Sequence, residues 1–140
     1  MSQEQDTINT VLENSKTIAV VGLSARPERP SHMVAEYMQQ EGYRIVPVNP
    51  AYAGTSILGE TCYATLRDAA QAAGPIDIVD CFRQSASILP IAEEAISIGA
   101  RCLWMQLGVI NEDAARTAEA AGMQVVMDRC IKIEHMARQP

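Results

Sequence analysis

Five short apolar runs, Thr17 to Val21, Arg44 to Val48, Ile76 to Phe82, Cys102 to Met105 and Gln124 to Met127, are separated in this chain by segments of a different periodicity. Runs that are apolar without alternation suit strands covered on both faces. The segments between them carry helix signals. Ser31 to Gln40 places Val34, Tyr37 and Met38 on one face, and Gly42 follows as a C-terminal stop. Ala86 to Ile98 has Pro90 in its first turns, where a missing N–H costs little, and Gly99 after it. Asn111 is a good N-cap, acidic Glu112 and Asp113 follow it, and Gly122 closes that helix. A lead-in helix over Gln5 to Glu13 carries Ile8, Val11 and Leu12, and a weaker one spans Leu66 to Ala72 before the Gly74-Pro75 break. Ala51 to Tyr63 fits neither period and is expected to wander over the sheet edge.

Parallel neighbours need crossover connections, so strands and helices alternating at this spacing predict an α/β fold with helices on both faces of a parallel sheet. The expectation is a single Rossmann-like three-layer domain over residues 1–140, with a five-stranded, mostly parallel sheet. Right-handed crossovers leave few arrangements, and the order expected is 3-2-1-4-5, with the topological switch between the first and fourth strands.

Bulk properties narrow the function classes. Hydrophobic residues make up 48% of the 140 and charged ones 20%, with one Trp and one Phe, which implies an ordered, mainly aliphatic core. No stretch approaches the roughly 18 apolar residues of a membrane span. The polar, acidic start Met1-Ser2-Gln3-Glu4-Gln5-Asp6 is unlike a secretory or transit signal, so a cytoplasmic location is expected. Cys62, Cys81, Cys102 and Cys130 are widely spaced, which argues against a zinc site and a disulfide framework. A net charge of −6 argues against nonspecific nucleic-acid binding, since that rests on Lys and Arg neutralising phosphates. Arg26 and Arg29 nevertheless sit close together, so a local positive patch is compatible with an acidic chain.

If the sheet is as expected, the residues that follow each strand share one crevice at its carboxyl end. After the first run these are Gly22, Ser24, Ala25, Arg26 and Arg29; after the second, Asn49 and Pro50; after the third, Arg83; after the fourth, Gln106, Leu107 and Gly108; after the fifth, Asp128, Arg129 and Cys130. Leu23, Ser31, Val48 and Phe82 flank them and complete the set of binding candidates. Gly22 allows a tight turn, Ser24 and Ala25 keep bulk away, and the helix starting near Ser31 favours an anion at its N-terminus. The set points to a nucleotide-phosphate cradle. It is poor in acid–base pairs, and neither His32, expected at the solvent or phosphate edge, nor His135, expected at the surface, belongs to a triad. A nicotinamide fingerprint is not met: its second and third glycines are replaced by Ser24 and Pro27, and the second run ends in Val48-Asn49-Pro50 without an acid for the ribose. A 2′-phosphate cofactor remains open, because arginines can replace that acid.

The ordered set Ala19-Val20-Val21-Gly22-Leu23-Ser24, Arg26-Pro27-Glu28-Arg29-Pro30-Ser31, Ile45-Val46-Pro47-Val48-Asn49-Pro50, Leu103-Trp104-Met105-Gln106-Leu107-Gly108 and Val126-Met127-Asp128-Arg129-Cys130 resembles the small stand-alone CoA-binding proteins. These are similar to the N-terminal Rossmann-like domain of the succinyl-CoA synthetase alpha subunit. The resemblance runs from about Thr17 to His135. It implies coenzyme A or an acyl-CoA as the small-molecule ligand, with the pyrophosphate at the Gly22 to Arg26 loop and the adenosine near the end of the second strand. The pantetheine arm is then expected to pass the ends of the third and fourth strands. Family members often carry Lys after the Asn-Pro pair, where this chain has Ala51, which bears on contact with the ribose 3′-phosphate.

A ligand-binding protein without chemistry of its own is the leading expectation. The alternatives are an NADP-dependent oxidoreductase, an accessory subunit of an acyl-CoA ligase, or an interaction adaptor. Arg83 is placed either at the ligand or against Asp80 or Asp128. Cys130 reads first as a packed thiol near the chain end; if it opens into the crevice beside Arg129, it can form a mixed disulfide with the CoA thiol. The oligomeric state is not readable.

Overall fold

The computed structural model describes residues 2–138, so Met1 of the polar N-terminal stretch and both ends of the expected 1–140 domain lie outside it. Its main sheet comprises β1 (Thr17–Val21), β2 (Arg44–Val48), β5 (Ile78–Cys81), β6 (Cys102–Met105) and β7 (Gln124–Val126), all parallel. The helices are α1 (Gln3–Asn14), α2 (Pro30–Gln40), α3 (Leu66–Ala73), α4 (Ile88–Ser97), α5 (Glu112–Ala120) and α6 (Ile131–Arg138). The irregular excursion contains a 3-10 turn at Pro50–Tyr52 and a small hairpin of β3 (Ser56–Ile57) and β4 (Glu60–Thr61).

Local chemistry sets these boundaries. Side chains of Ser2, Thr65 and Asn111 accept the N–H groups of Gln5, Asp68 and Ala114 and so cap α1, α3 and α5. Pro30 occupies the first turn of α2, where it gives up no hydrogen bond. Strand side chains alternate between two cores. Ile18, Val20, Ile45, Ile78 and Trp104 pack with α1, α2 and α6, while Ala19, Val21, Val46, Val79 and Leu103 pack with α3, α4 and α5. The result is the expected three-layer α/β architecture.

The strand order is β2-β1-β5-β6-β7. In terms of the five runs this is 2-1-3-4-5 where 3-2-1-4-5 is expected: the third run crosses to the far side of β1 and takes the place assigned to the fourth. Pro47 supplies the reason. The carbonyl of Pro47 faces away from β1 and accepts from Tyr63 N at 3.0 Å, so the N–H that proline lacks falls on the outer edge of β2. A continuous outer strand needs that donor, and proline therefore marks β2 as an edge. Only an isolated bridge, Val48 to Tyr63, forms there. The switch point consequently lies between β1 and β5, from which α2 and α4 lead away on opposite faces.

Asp80 breaks the apolar lining of β5. It is 1% exposed, its Oδ1 has no hydrogen-bond partner among the described residues, and burial pushes its carboxyl well above the usual range. An unfolded Asp ionises near pH ~3.9, whereas burial makes this one ionise only at higher pH when folded. The stability tied to this group is therefore fully present in acid and declines as pH rises above the unfolded value toward the raised folded one. Asp80→Asn, which does not titrate, is expected to gain stability relative to the parent as urea melts move from about pH 5 to about pH 8. A difference constant across that range would show that the carboxyl is not held neutral.

Candidate functional site

The carboxyl ends of the strands open into a cleft of about 1010 Å³ at the switch point. Its floor begins at Gly22, which adopts φ +90° while its N–H donates to the Val48 carbonyl at 2.8 Å. A Cβ on Gly22 would lie 2.2 Å from the Phe82 carbonyl oxygen, so β1 and β5 approach each other here as only glycine permits.

The loop from Gly22 to Pro30 is tied to the first turn of α2. Ser31 Oγ accepts from Ser24 N at 3.0 Å, Ser24 Oγ accepts from Arg26 N at 3.1 Å, and His32 Nδ1 donates to the Ser24 carbonyl at 2.9 Å. His32 is thus a buried brace at 8% exposure, which overturns the solvent-facing alternative but not the phosphate-edge one, because its ring takes a partner in the loop after β1. His135 is likewise buried and not at the surface. It shares a 2.8 Å hydrogen bond with the Tyr37 hydroxyl and meets the Tyr37 and Tyr43 rings edge-on, and burial holds its pKa below the ordinary value.

Three guanidinium groups line the cleft, and no Asp or Glu among the described residues does. Arg26 forms a 2.9 Å ion pair with Glu28, both side chains being more than half exposed, and such pairs contribute little. Arg29 forms no ion pair with a described residue. Arg83 pairs with neither Asp80 nor Asp128; its terminal nitrogen donates to Asn49 Oδ1 at 3.3 Å. Asn49 is the latch of the cleft wall. Its amide donates to the Leu23 carbonyl at 3.1 Å and its oxygen accepts from Ala51 N at 3.0 Å, which joins the loop after β1 to the loop after β2. With Arg29 and Arg83 in no ion pair with a described residue and Arg26 only in an exposed one, the cleft suits an anion with an extended, partly apolar body.

Of the sequence-derived candidates, Gly22, Ser24, Arg26, Arg29, Ser31, Asn49, Phe82, Arg83, Gln106 and Leu107 line this cleft. Leu23 and Val48 do not: both are buried in the core, at 0% and 3% exposure, Val48 on the face of β2 that Val46 also fills and Leu23, past the turn at Gly22, on the α2 side with Ile18 and Val20. Ala25 and Pro50 also lie outside the lining, Ala25 packed against the core on the α2 face and Pro50 exposed at the start of the 3-10 turn.

Residues 16–136 match the family described as CoA binding domain. The chain belongs to that family. It is 44% identical over 128 residues to the YneT protein of Bacillus subtilis (strain 168), with 91% of each chain covered. It is also similar to the solved structure of cell-free ID.343 from Thermus thermophilus, at 34% identity and a TM-score of 0.89, with 98% of each chain covered. At 21% identity and a TM-score of 0.70 the same fold recurs in the dinucleotide-forming acetyl-coenzyme A synthetase 1 of Ca. Korarchaeum cryptofilum, covering 84% of this chain and 27% of that one.

The cleft of this CoA-binding domain also includes residues the strand-end reading leaves out. Val34 comes from α2, Tyr52 from the 3-10 turn, Gln84 and Ser87 from the lead-in to α4, Val109 from the loop after β6, and Ile133 from α6. Val34 and Ile133 reach the cleft from helices, which cannot be seen without helix placement. Cys130, favoured in sequence as a packed thiol, is half-buried and lines the cleft. Arg129 is engaged elsewhere, with Glu4 and Glu134, and so is not a partner for that thiol.

Proposed function

We propose that this chain is a single-domain binder of coenzyme A or an acyl-CoA, acting without catalytic chemistry of its own. The observation that carries the reading is the cleft at the β1–β5 switch, lined by Arg26, Arg29 and Arg83 and by no Asp or Glu among the described residues, with only Arg26 paired, to the exposed Glu28, within a chain of the CoA binding domain family. The pyrophosphate is assigned to the loop of Gly22, Ser24 and Arg26 with Arg29 and Ser31, the adenosine to the side of Asn49, Ala51 and Tyr52, and the pantetheine arm to Phe82, Arg83, Gln106 and Leu107. Guanidinium groups match phosphate oxygens in fork geometry and retain their charge at all working pH values.

A cytoplasmic setting goes with this reading. The four cysteines are free, as a reducing compartment keeps them, and no helix among the described residues is long and apolar enough to cross a membrane.

Calorimetry with CoA, dephospho-CoA, NAD and NADP tests the proposal. CoA is expected to bind most tightly, and dephospho-CoA more weakly because it lacks the ribose 3′-phosphate. Equal binding of all four, or no heat with CoA, overturns it; preference for NADP transfers the site to the oxidoreductase reading.

A further inference from the structure

We propose, resting on the CoA reading above, that the cleft delivers the sulfur end of the ligand to Cys130, and that this thiol exchanges with CoA disulfide to hold one CoA covalently. Arg26 and Arg29 follow β1, and Cys130 follows β7, with β5 and β6 between them. Arg129 N donates to the Met105 carbonyl at the end of β6 at 3.2 Å, so Cys130 lies two to three strand spacings of ~4.8 Å from β1, about 10–14 Å. The arm of CoA from pyrophosphate to sulfur has about as many chain bonds as four residues, which at ~3.5 Å each also reach about 14 Å. The arm of a ligand anchored by its phosphates at β1 is therefore long enough to bring its sulfur to Cys130.

Gln106 marks the path independently. It is only 4% exposed yet contributes to the cleft wall, and its Oε1 accepts from Ile131 N at 3.0 Å, next to Cys130 in sequence. That bond fixes the amide orientation, and the side-chain nitrogen has no acceptor among the described residues. A cleft-lining amide whose nitrogen has no acceptor among the described residues matches a carbonyl acceptor, and the pantetheine arm carries two amide carbonyls.

The remaining cysteines are shielded. Cys62, Cys81 and Cys102 are buried at 1%, 0% and 1% exposure, and burial raises the pKa of each thiol. Cys130 alone among the four lines the cleft.

In the exchange, the Cys130 sulfur gives its proton to solvent and attacks the anchored sulfur of CoA disulfide. The Cys130–CoA bond forms as the disulfide bond of the reagent breaks, and the second CoA leaves as a thiolate that solvent protonates. Cys130 is oxidised and the departing sulfur is reduced, so no further oxidant enters. A reduced thiol reverses the step.

The test incubates reduced, full-length protein with CoA disulfide without oxygen and follows intact mass. One CoA adduct is expected, removable by dithiothreitol, mapping to the Cys130 peptide and absent in Cys130→Ser. Its rate is expected to exceed that of the adduct with glutathione disulfide by at least about tenfold, since phosphate anchoring raises the local concentration of the reacting sulfur. Arg29→Ala is expected to erase most of that advantage. If calorimetry shows CoA bound and no adduct forms, or the adduct lies on another cysteine, or both disulfides react equally fast, the inference falls and the binding reading stands. If CoA does not bind, both fall together.

Discussion

Gly22→Ala is expected to lower stability by about 2–5 kcal/mol and to eliminate measurable CoA binding. Two costs combine. An L side chain in the left-handed region costs ~1–2 kcal/mol, and forcing extra volume into a packed interior costs ~1–3 kcal/mol. The second applies in full because the obstructing atom is the Phe82 carbonyl oxygen, 2.2 Å from the new methyl, and β5 cannot shift without disturbing its pairing with β1 and β6. A drop of roughly 10 °C in melting temperature is the readout. Gly42→Ala is the control. Gly42 has φ +103° with nothing within 4 Å of where a Cβ would sit, so only the backbone cost of ~1–2 kcal/mol applies there. Equal losses at both sites would show that the close approach of β1 and β5 plays no part.

Arg29→Ala is expected to weaken CoA roughly ten- to hundredfold, the equivalent of the ~1.5–3 kcal/mol carried by a charge-assisted hydrogen bond. Arg29 is favoured over Arg26 because Arg26 already spends part of its charge on Glu28 at 2.9 Å. Arg26→Ala is accordingly expected to cost only several-fold, and Glu28→Gln to tighten binding by freeing that guanidinium. Calorimetry at low and high salt measures all three, and the differences are expected to shrink as salt screens the exposed charges. An unchanged dissociation constant for Arg29→Ala removes that residue from the site.

Much of the molecule is legible in its sequence for local reasons. Uninterrupted apolar runs report strands covered on both faces, and Asn111, Gly42, Gly99 and Gly122 mark helix ends through preferences that need no tertiary partner. Gly22 followed by Ser24, Arg26 and Arg29 is equally local, so the phosphate-facing part of the cleft is read from one contiguous stretch. Pro47 also carries a local signal, an edge strand, although it takes the sheet to show which side of β2 lacks the donor.

Residues whose roles depend on partners far along the chain are not legible in this way. His135 looks like a tail residue until α6 packs it against Tyr37 and Tyr43, and Arg83 looks free to meet Asp80 until Asn49 holds it. Asp80 reads as an ordinary charge in a strand; only its neighbours on β1 and β6 reveal a buried carboxyl, one of whose oxygens has no hydrogen-bond partner among the described residues.

The amino-acid order by itself determined the α/β class, the turn at Gly22 and the cationic character of the loop beyond it, because strand burial, backbone freedom and charge are properties of neighbours in sequence. Tertiary structure alone decided that β5 lies beside β1, that Leu23 and Val48 turn inward, and that Cys130 and Gln106 share a wall with the arginines, since these depend on which strands pair and how helices cover them.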